Sequence, residues 1–126
     1  MLEDPGFAGL PTLSTDVARL SWDYPVKALA DLIQLPKTGW LNIKPSRFGL
    51  LSELLRTLEY AQALGLKLYG GGQFELGVGR TQAQQLAALF YPDGPNDLAP
   101  ADFNMLELLE LLPSSPLTVT DGVGFG

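Results

Sequence analysis

The sequence contains no cysteine and no histidine. Without cysteine the chain has no disulfide, no thiolate nucleophile and no cysteine-based zinc site. Without histidine, general acid–base catalysis would have to use Lys, Asp, Glu or Tyr side chains. Any catalytic role of the chain is therefore expected to depend on these four residue types.

Clusters of basic residues and long apolar runs are also missing. The chain has eight Lys and Arg residues against 14 Asp and Glu residues, which gives a net charge of −6. Proteins that bind phosphate backbones carry basic patches, so nucleic acid is not expected as a partner. No apolar stretch approaches the roughly 18 residues that span a bilayer. The N-terminus also lacks the basic and apolar regions of a signal peptide, so we expect a cytoplasmic protein without a membrane partner.

The hydrophobic residues that are present follow two alternating periods. With 126 residues and 46% hydrophobic content, the chain is expected to form one globular unit with a core. Short apolar or alternating segments near 19–23, 40–44, 66–70 and 97–103 predict strands. Leu and Ala recur at helical spacing over 26–35, 49–64 and 81–91, which predicts helices, the third capped by Thr81. Repeated strand–helix alternation indicates an α/β fold with a parallel sheet.

Polar residues recur within two of the predicted strands, which favours a barrel over an open sheet. Ser21 is in step with Asp23, and Asn42 is in step with Lys44. Inner strands of a doubly wound sheet are near-continuous apolar runs, whereas a barrel interior can open toward a polar site. A closed (β/α)₈ barrel takes roughly 250 residues, about twice the length of this chain. We therefore predict half of a TIM-type barrel over residues 1–112, with strand edges that another segment must cover, and a C-terminal tail over 113–126.

Two charged residues stand at the ends of predicted strands. Lys44 ends the run 40–44 and is followed by Pro45, and Asp23 is followed by Pro25 after one further residue. Successive parallel strands end near one another, so side chains at their C-terminal ends converge over one face of the sheet. Asp23 and Lys44 are therefore candidates for a common site.

Four segments carry a resemblance to a known family. They are residues 3–5 (Glu-Asp-Pro), 22–25 (Trp-Asp-Tyr-Pro), 41–49 (Leu-Asn-Ile-Lys-Pro-Ser-Arg-Phe-Gly) and 70–79 (Gly-Gly-Gly-Gln-Phe-Glu-Leu-Gly-Val-Gly). In this order and spacing they resemble the end of the catalytic barrel in the enolase superfamily, in the branch with Lys bases that includes muconate cycloisomerase and o-succinylbenzoate synthase. Glu3 and Asp23 are 20 positions apart, and Asp23 and Lys44 are 21 apart, each fitting one βα unit.

The resemblance implies a fold and an activity. The chain would be the C-terminal half of the barrel, from strand 4 or 5 to strand 8, with the N-terminal half and the capping domain absent. Glu3 and Asp23 would be ligands of Mg²⁺, an ion that prefers hard oxygen ligands. Lys44 would exchange the proton next to the carboxylate of a small substrate, giving a metal-stabilised enolate for a racemase, lyase or cycloisomerase. The substrate-binding candidates are Asn42, Gln73 and Glu75.

The family's third metal carboxylate and second Lys belong to strands that are absent from this chain. The chain by itself is therefore expected to be inactive, and its expected partner is the missing barrel half or a second copy of itself. Two other functions stay open: a non-catalytic half-barrel that forms homodimers, and an acidic α/β interaction domain. At single positions, Lys44 could be an ordinary solvated lysine, Asp23 could cap a helix near Val26 and Glu3 could be a disordered terminal charge. Residues 70–79 could also bind phosphate, although they lack the full motif.

Overall fold

A single parallel sheet forms the centre of the molecule in the computed structural model, which describes residues 1–5 and 17–99. All neighbouring strands pair in parallel, and their order in the sheet is their order along the chain. The strands are β1 (Leu2–Glu3), β2 (Leu20–Trp22), β3 (Trp40–Ile43) and β4 (Lys67–Gly70). Beyond β4, Gly71 forms an isolated parallel bridge with Asp97. The predicted α/β fold with a parallel sheet is therefore confirmed.

A helix follows each of the last three strands of this sheet. The helices are α1 (Leu29–Gln34), α2 (Leu51–Ala63) and α3 (Gly77–Phe90), and a short 3₁₀ turn, Pro45–Arg47, lies between β3 and α2. Helix α2 buries Leu54, Leu58 and Ala61, which recur at the spacing of one helical face. Gly65, with φ of +72°, follows α2 and lets the chain turn back into β4. None of the helices within the described residues is long and apolar enough to cross a membrane.

The two faces of the sheet differ in chemistry because successive strand residues point to opposite sides. Trp22, Leu41, Ile43 and Leu68 pack into a core with buried residues of all three helices. The residues that alternate with them point to the other side, which we call the polar face of the sheet. It carries Glu3, Ser21, Asn42 and Tyr69, of which the last three are buried. The helices thus cover one face and leave the polar side chains on the opposite one.

Two predicted helix starts are wrong. Helix α1 begins at Leu29 and not at residue 26, because the Asp31 carboxylate accepts hydrogen bonds from the backbone N–H groups of Lys27 and Ala28 at 2.9 and 3.0 Å. Helix α3 begins at Gly77, so Thr81 is not its cap. The Thr81 hydroxyl instead donates to the Gly77 carbonyl within the helix.

Several predictions concern residues that lie outside the described part of the chain. The predicted strand 97–103 is described only as far as Ala99, where Asp97 supplies the bridge to Gly71. The predicted boundary at residue 112 and the tail over 113–126 lie beyond the described residues.

Candidate functional site

Asp23 and Lys44 meet at the carboxyl ends of two adjacent strands. Asp23 directly follows β2, and Lys44 directly follows β3. The Lys44 Nζ donates to Asp23 Oδ2 at 2.8 Å, and the two side chains are only 15% and 13% exposed. An ion pair this shielded from water interacts more strongly than a pair on the open surface. Lys44 is therefore not an ordinary solvated lysine, and the Asp23 carboxylate does not cap a helix.

Arg47 is a third member of this cluster, and its contact with Asp23 was not predicted from the sequence. Its Nη1 donates to Asp23 Oδ1 at 2.7 Å and to the Asp23 carbonyl oxygen at 2.9 Å. The 3₁₀ turn after β3 places Arg47 three residues beyond Lys44, so one turn brings both cations to the same carboxylate. The sequence signal was present in the run Lys-Pro-Ser-Arg at 44–47. Each oxygen of Asp23 thus has one cationic partner.

Glu3 lies in β1, where it pairs with Ser21, and so is not a disordered terminal charge. The neighbouring Asp4 connects this strand to β2 through its backbone N–H, which donates to the Ser21 carbonyl oxygen. The Asp4 carboxylate also accepts hydrogen bonds from the backbone N–H groups of Asp23 and Tyr24, at 2.8 and 3.0 Å. The end of β1 is therefore held beside the end of β2, which brings the Glu3 and Asp23 segments together.

The Glu3 carboxylate is held at one of its two oxygens. Oε1 accepts hydrogen bonds from the Tyr69 hydroxyl and from Asn42 Nδ2, the latter at 3.1 Å. The Tyr69 hydroxyl also lies 3.0 Å from Ser21 Oγ. Burial, reinforced by the hydrogen bond to Glu3, raises the pKa of Tyr69 well above its usual range. Tyr69 therefore stays protonated and acts as a donor to Glu3.

Asn42 lies in the middle of the polar face with one unused acceptor. Its side chain is oriented by Glu3, because a carboxylate only accepts and so must face the amide Nδ2. This leaves Asn42 Oδ1 buried without a hydrogen-bond partner among the described residues. A buried acceptor without a partner costs about 1–3 kcal/mol in typical proteins, so it indicates a place where another donor can bind.

Gly71 lets Asn42 and Lys44 lie close against the end of β4. A Cβ atom at this position would be 2.5 Å from Asn42 Oδ1 and 2.6 Å from Lys44 Cε. These distances are far shorter than any normal contact. The absence of a side chain at residue 71 is thus a condition for the arrangement of the site.

The substitution Gly71→Ala should displace Asn42 and Lys44 and destabilise the chain by about 1–3 kcal/mol, the usual cost of overpacking. Urea unfolding would measure the loss, and the NMR signal of the Asn42 side-chain amide would report its displacement. Gly79→Ala is the matched control, because a Cβ there meets only the Glu75 side chain at 3.6 Å and more. Equal stability of the Gly71→Ala variant and the unmodified chain would contradict the close approach.

Gln73 and Glu75 lie in a second polar cluster with Ser46, which we call the rim cluster. Ser46 Oγ donates to Glu75 Oε1 at 2.9 Å and approaches Gln73 Oε1 at 3.2 Å. The Gln73 backbone N–H donates to Glu75 Oε2 at 2.8 Å. Ser46 belongs to the turn after β3, so the rim cluster joins the glycine-rich loop to the turn that follows Lys44. In the described part of the chain, no hydrogen bond joins Gln73 or Glu75 to Asp23 or Lys44.

The carboxylates of the site fit a hard divalent cation in their chemistry. No donor among the described residues contacts Glu3 Oε2, and each Asp23 oxygen makes one contact with a cationic side chain. Carboxylate oxygens are the ligands that Mg²⁺ prefers, usually one or two of them with several waters. Within residues 1–5 and 17–99, no group of three or more acidic, His or Cys side chains is arranged to hold a metal ion. The carboxylates of Glu3 and Asp23 are thus of the chemical type that such a cation binds.

The chain is similar to curated enzymes over most of its length. It is 34% identical over 103 residues to an N-succinylamino acid racemase of an Amycolatopsis species, which covers 79% of this chain and 28% of that protein. It is 26% identical over 110 residues to the o-succinylbenzoate synthase of Haemophilus influenzae, covering 86% of this chain and 33% of that protein. The chain therefore spans about a third or less of the length of these relatives.

Solved structures with a similar fold include a member of the enolase superfamily. An enolase superfamily member from Listeria innocua matches with a TM-score of 0.57 and 26% identity, covering 66% of this chain and 23% of that one. A mandelate racemase/muconate lactonizing protein from Herpetosiphon aurantiacus matches with a TM-score of 0.59 and 25% identity, covering 75% and 28%. The family model described as the C-terminal domain of a domain of unknown function, DUF8230, matches residues 1–105. Its homologues are N-succinylamino acid racemase and o-succinylbenzoate synthase, and its structural neighbours are enolase superfamily members. Because the family model matches most of its length, the chain belongs to the DUF8230 C-terminal domain family.

Proposed function

We propose that the chain supplies the C-terminal half of an enolase-superfamily (β/α)₈ barrel, over residues 1–112, and that Lys44 moves the proton on the carbon next to a substrate carboxylate. The observation that carries this proposal is the 2.8 Å contact between Lys44 Nζ and Asp23 Oδ2 at the ends of adjacent parallel strands. Sequence similarity to a racemase and a synthase supports the same kind of chemistry.

The order of the strands supports a barrel. In a doubly wound sheet the strand order reverses at a switch point, whereas in a (β/α)₈ barrel the strands follow one another around the wall. Strands β1 to β4 lie in sequential order, and the three described helices, α1, α2 and α3, pack on the same face of the sheet. The polar face would then line the barrel interior, and the ends of β2 and β3 would open at the catalytic end of the barrel.

Glu3 and Asp23 are the residues that would hold Mg²⁺ in this barrel. Bound there, the cation would supply positive charge beside the substrate carboxylate as the α proton leaves. Glu3 would bind through Oε2, since Oε1 already accepts from Tyr69 and Asn42. Asp23 would bind Mg²⁺ and keep its hydrogen bond with Lys44. This hydrogen bond would hold the Lys44 amine beside the reacting carbon of the substrate.

Asn42, Gln73 and Glu75 are proposed to contact the substrate. Asn42 Oδ1 is suited to accept a hydrogen bond from a substrate N–H group, because it is a buried acceptor that lacks a partner among the described residues. Gln73 and Glu75 would act from the rim cluster. Similarity to the Amycolatopsis N-succinylamino acid racemase points to N-succinylated amino acids, which are small carboxylates with an α hydrogen and an amide N–H.

The chain alone is proposed to be inactive, because the family's remaining metal ligand and second Lys are absent from it. The test is ¹H NMR of α-proton exchange in D₂O, with an N-succinyl amino acid and Mg²⁺. The chain is assayed alone and after mixing with the part of the Amycolatopsis racemase that precedes the matched region. We expect exchange only in the mixture. Exchange by the chain alone, or a stable mixed complex without exchange, would refute the proposal.

The partner that completes the barrel is either such an N-terminal half or a second copy of this chain. Within the described residues β1 pairs only with β2, so its other edge has no strand beside it. Sedimentation equilibrium distinguishes these two possibilities. A homodimer has twice the mass of the chain, and this mass would be measured for the chain alone, before any N-terminal half is added. A chain that becomes a discrete complex only on mixing favours the separate half-barrel.

A further inference from the structure

We propose that Tyr69 is a positioning residue that turns the Glu3 carboxylate so that its Oε2 faces a divalent cation. This inference rests on the proposed function, in which Glu3 is a metal ligand. Tyr69 is not among the site residues predicted from the sequence.

Two donors converge on the same oxygen of Glu3. Both the Tyr69 hydroxyl and Asn42 Nδ2 donate to Oε1. Since a carboxylate is planar, fixing one oxygen with two donors from different strands also fixes the direction of the other oxygen. Oε2 is therefore presented in a defined direction, without a donor among the described residues.

Tyr69 is itself rigidly held. Its side chain is 96% buried, since only 4% of it is exposed, and its ring packs edge-on against Trp40 with the ring centroids 6.1 Å apart. The tyrosine proton goes to Glu3, so the fully buried Ser21 hydroxyl is the donor in its 3.0 Å contact with the Tyr69 oxygen, which is shorter than its 3.4 Å contact with the Trp22 carbonyl oxygen. Hydrogen bonds thus run from Ser21 to Tyr69 and on to Glu3, across three strands of the sheet.

Glu3 needs this support more than Asp23 does. Glu3 is exposed, belongs to a strand of two residues and carries a long side chain with several rotatable bonds. Holding such a side chain before the cation arrives removes part of the entropy cost of binding. Hydrogen-bond partners of metal ligands commonly contribute 10- to 100-fold to metal affinity. The hydroxyl of Tyr69 is the group placed to make this contribution.

The test uses Mn²⁺ as the probe and paramagnetic broadening of amide NMR signals as the readout, so it does not require activity. Mn²⁺ is titrated into the chain alone and into its mixture with the N-terminal part of the Amycolatopsis racemase described above. In Tyr69→Phe, the Mn²⁺ concentration that half-broadens the signals near Glu3 should rise by about 10-fold or more. Ser21→Ala removes the donor to Tyr69 together with a longer contact of the same hydroxyl with the Trp22 carbonyl oxygen at 3.4 Å. It should give a smaller rise in the same direction, and it replaces Tyr69→Phe if that variant does not fold.

Tyr91→Phe is the matched control. Tyr91 is also 96% buried, burial raises its pKa to about 12 and it packs in the core on the helix side of the sheet. The same loss of a hydroxyl there should leave Mn²⁺ binding unchanged. Equal Mn²⁺ binding by the Tyr69→Phe variant and the unmodified chain would overturn the inference and leave the proposed function intact. If the unmodified chain and its mixture show no broadening near Glu3, the metal site of the proposed function fails, and this inference fails with it.

Discussion

Replacing Lys44 with methionine is expected to lower α-proton exchange by the completed barrel by about 10²- to 10⁴-fold, the usual contribution of a positioned acid or base. Methionine keeps an unbranched apolar side chain beside Gly71 but cannot carry a proton. The fold should survive, because Arg47 still contacts Asp23 through both the carboxylate and the backbone carbonyl oxygen. The exchange rate, measured by ¹H NMR in D₂O under saturating Mg²⁺, reports the loss.

Lys67→Met provides the comparison for this substitution. Lys67 begins β4, pairs with Trp40 across the sheet and lies with its Nζ 5.2 Å from the Trp40 ring centroid. It is therefore a lysine near the opposite end of the strands, away from Asp23. Its replacement should leave the exchange rate unchanged. Similar rates for the Lys44→Met variant and the unmodified protein would show that Lys44 is not the group that moves the proton.

Truncating Leu41 to alanine is expected to cost about 2–5 kcal/mol of stability, the range for a leucine removed from a well-packed core. Leu41 is fully buried in β3, the strand that pairs with both β2 and β4, and it packs against the helix side of the core. Small domains are stable by only about 5–15 kcal/mol in total, so this single change would remove a large part of the free energy of unfolding. Urea unfolding followed by circular dichroism would measure it.

Leu89→Ala makes the same chemical change on the surface. Leu89 lies on α3 and is 75% exposed, so its removal should alter the free energy of unfolding by less than about 0.5 kcal/mol. A Leu41→Ala variant that unfolds at the same urea concentration as Leu89→Ala would mean that β3 is not at the centre of the core.

The order of elements could be predicted from the sequence because it depends on local periodicity. Leu54, Leu58 and Ala61 recur at helical spacing, and they are the buried face of α2. The strand predictions around residues 20, 41 and 68 were confirmed for the same reason, since short apolar runs between turns are local signals. The start of α3 was predicted wrongly at Thr81. The prediction relied on the cap preference of threonine, whereas the helix already begins in the glycine-containing segment at Gly77.

The candidate site could be predicted only in part. The meeting of Asp23 with Lys44 follows from a topological rule, because both residues end adjacent parallel strands. The roles of Tyr69 and Arg47 could not be predicted. Tyr69 is 66 residues from Glu3, and their contact depends on the register of four strands, which no local pattern reveals. Arg47 reaches Asp23 from the end of the 3₁₀ turn that follows β3, and no local pattern predicted that turn.

The rim cluster has a consequence for efforts to alter ligand selectivity by directed evolution. A library that randomises only residues 73 and 75 would leave Ser46 facing altered neighbours, and many of its members would lose the Ser46 hydrogen bonds. Ser46 is also two residues from Lys44, in the turn that follows this residue, so the loss of its hydrogen bonds would also loosen the segment that holds Lys44. Residues 46, 73 and 75 should therefore be varied together as one unit.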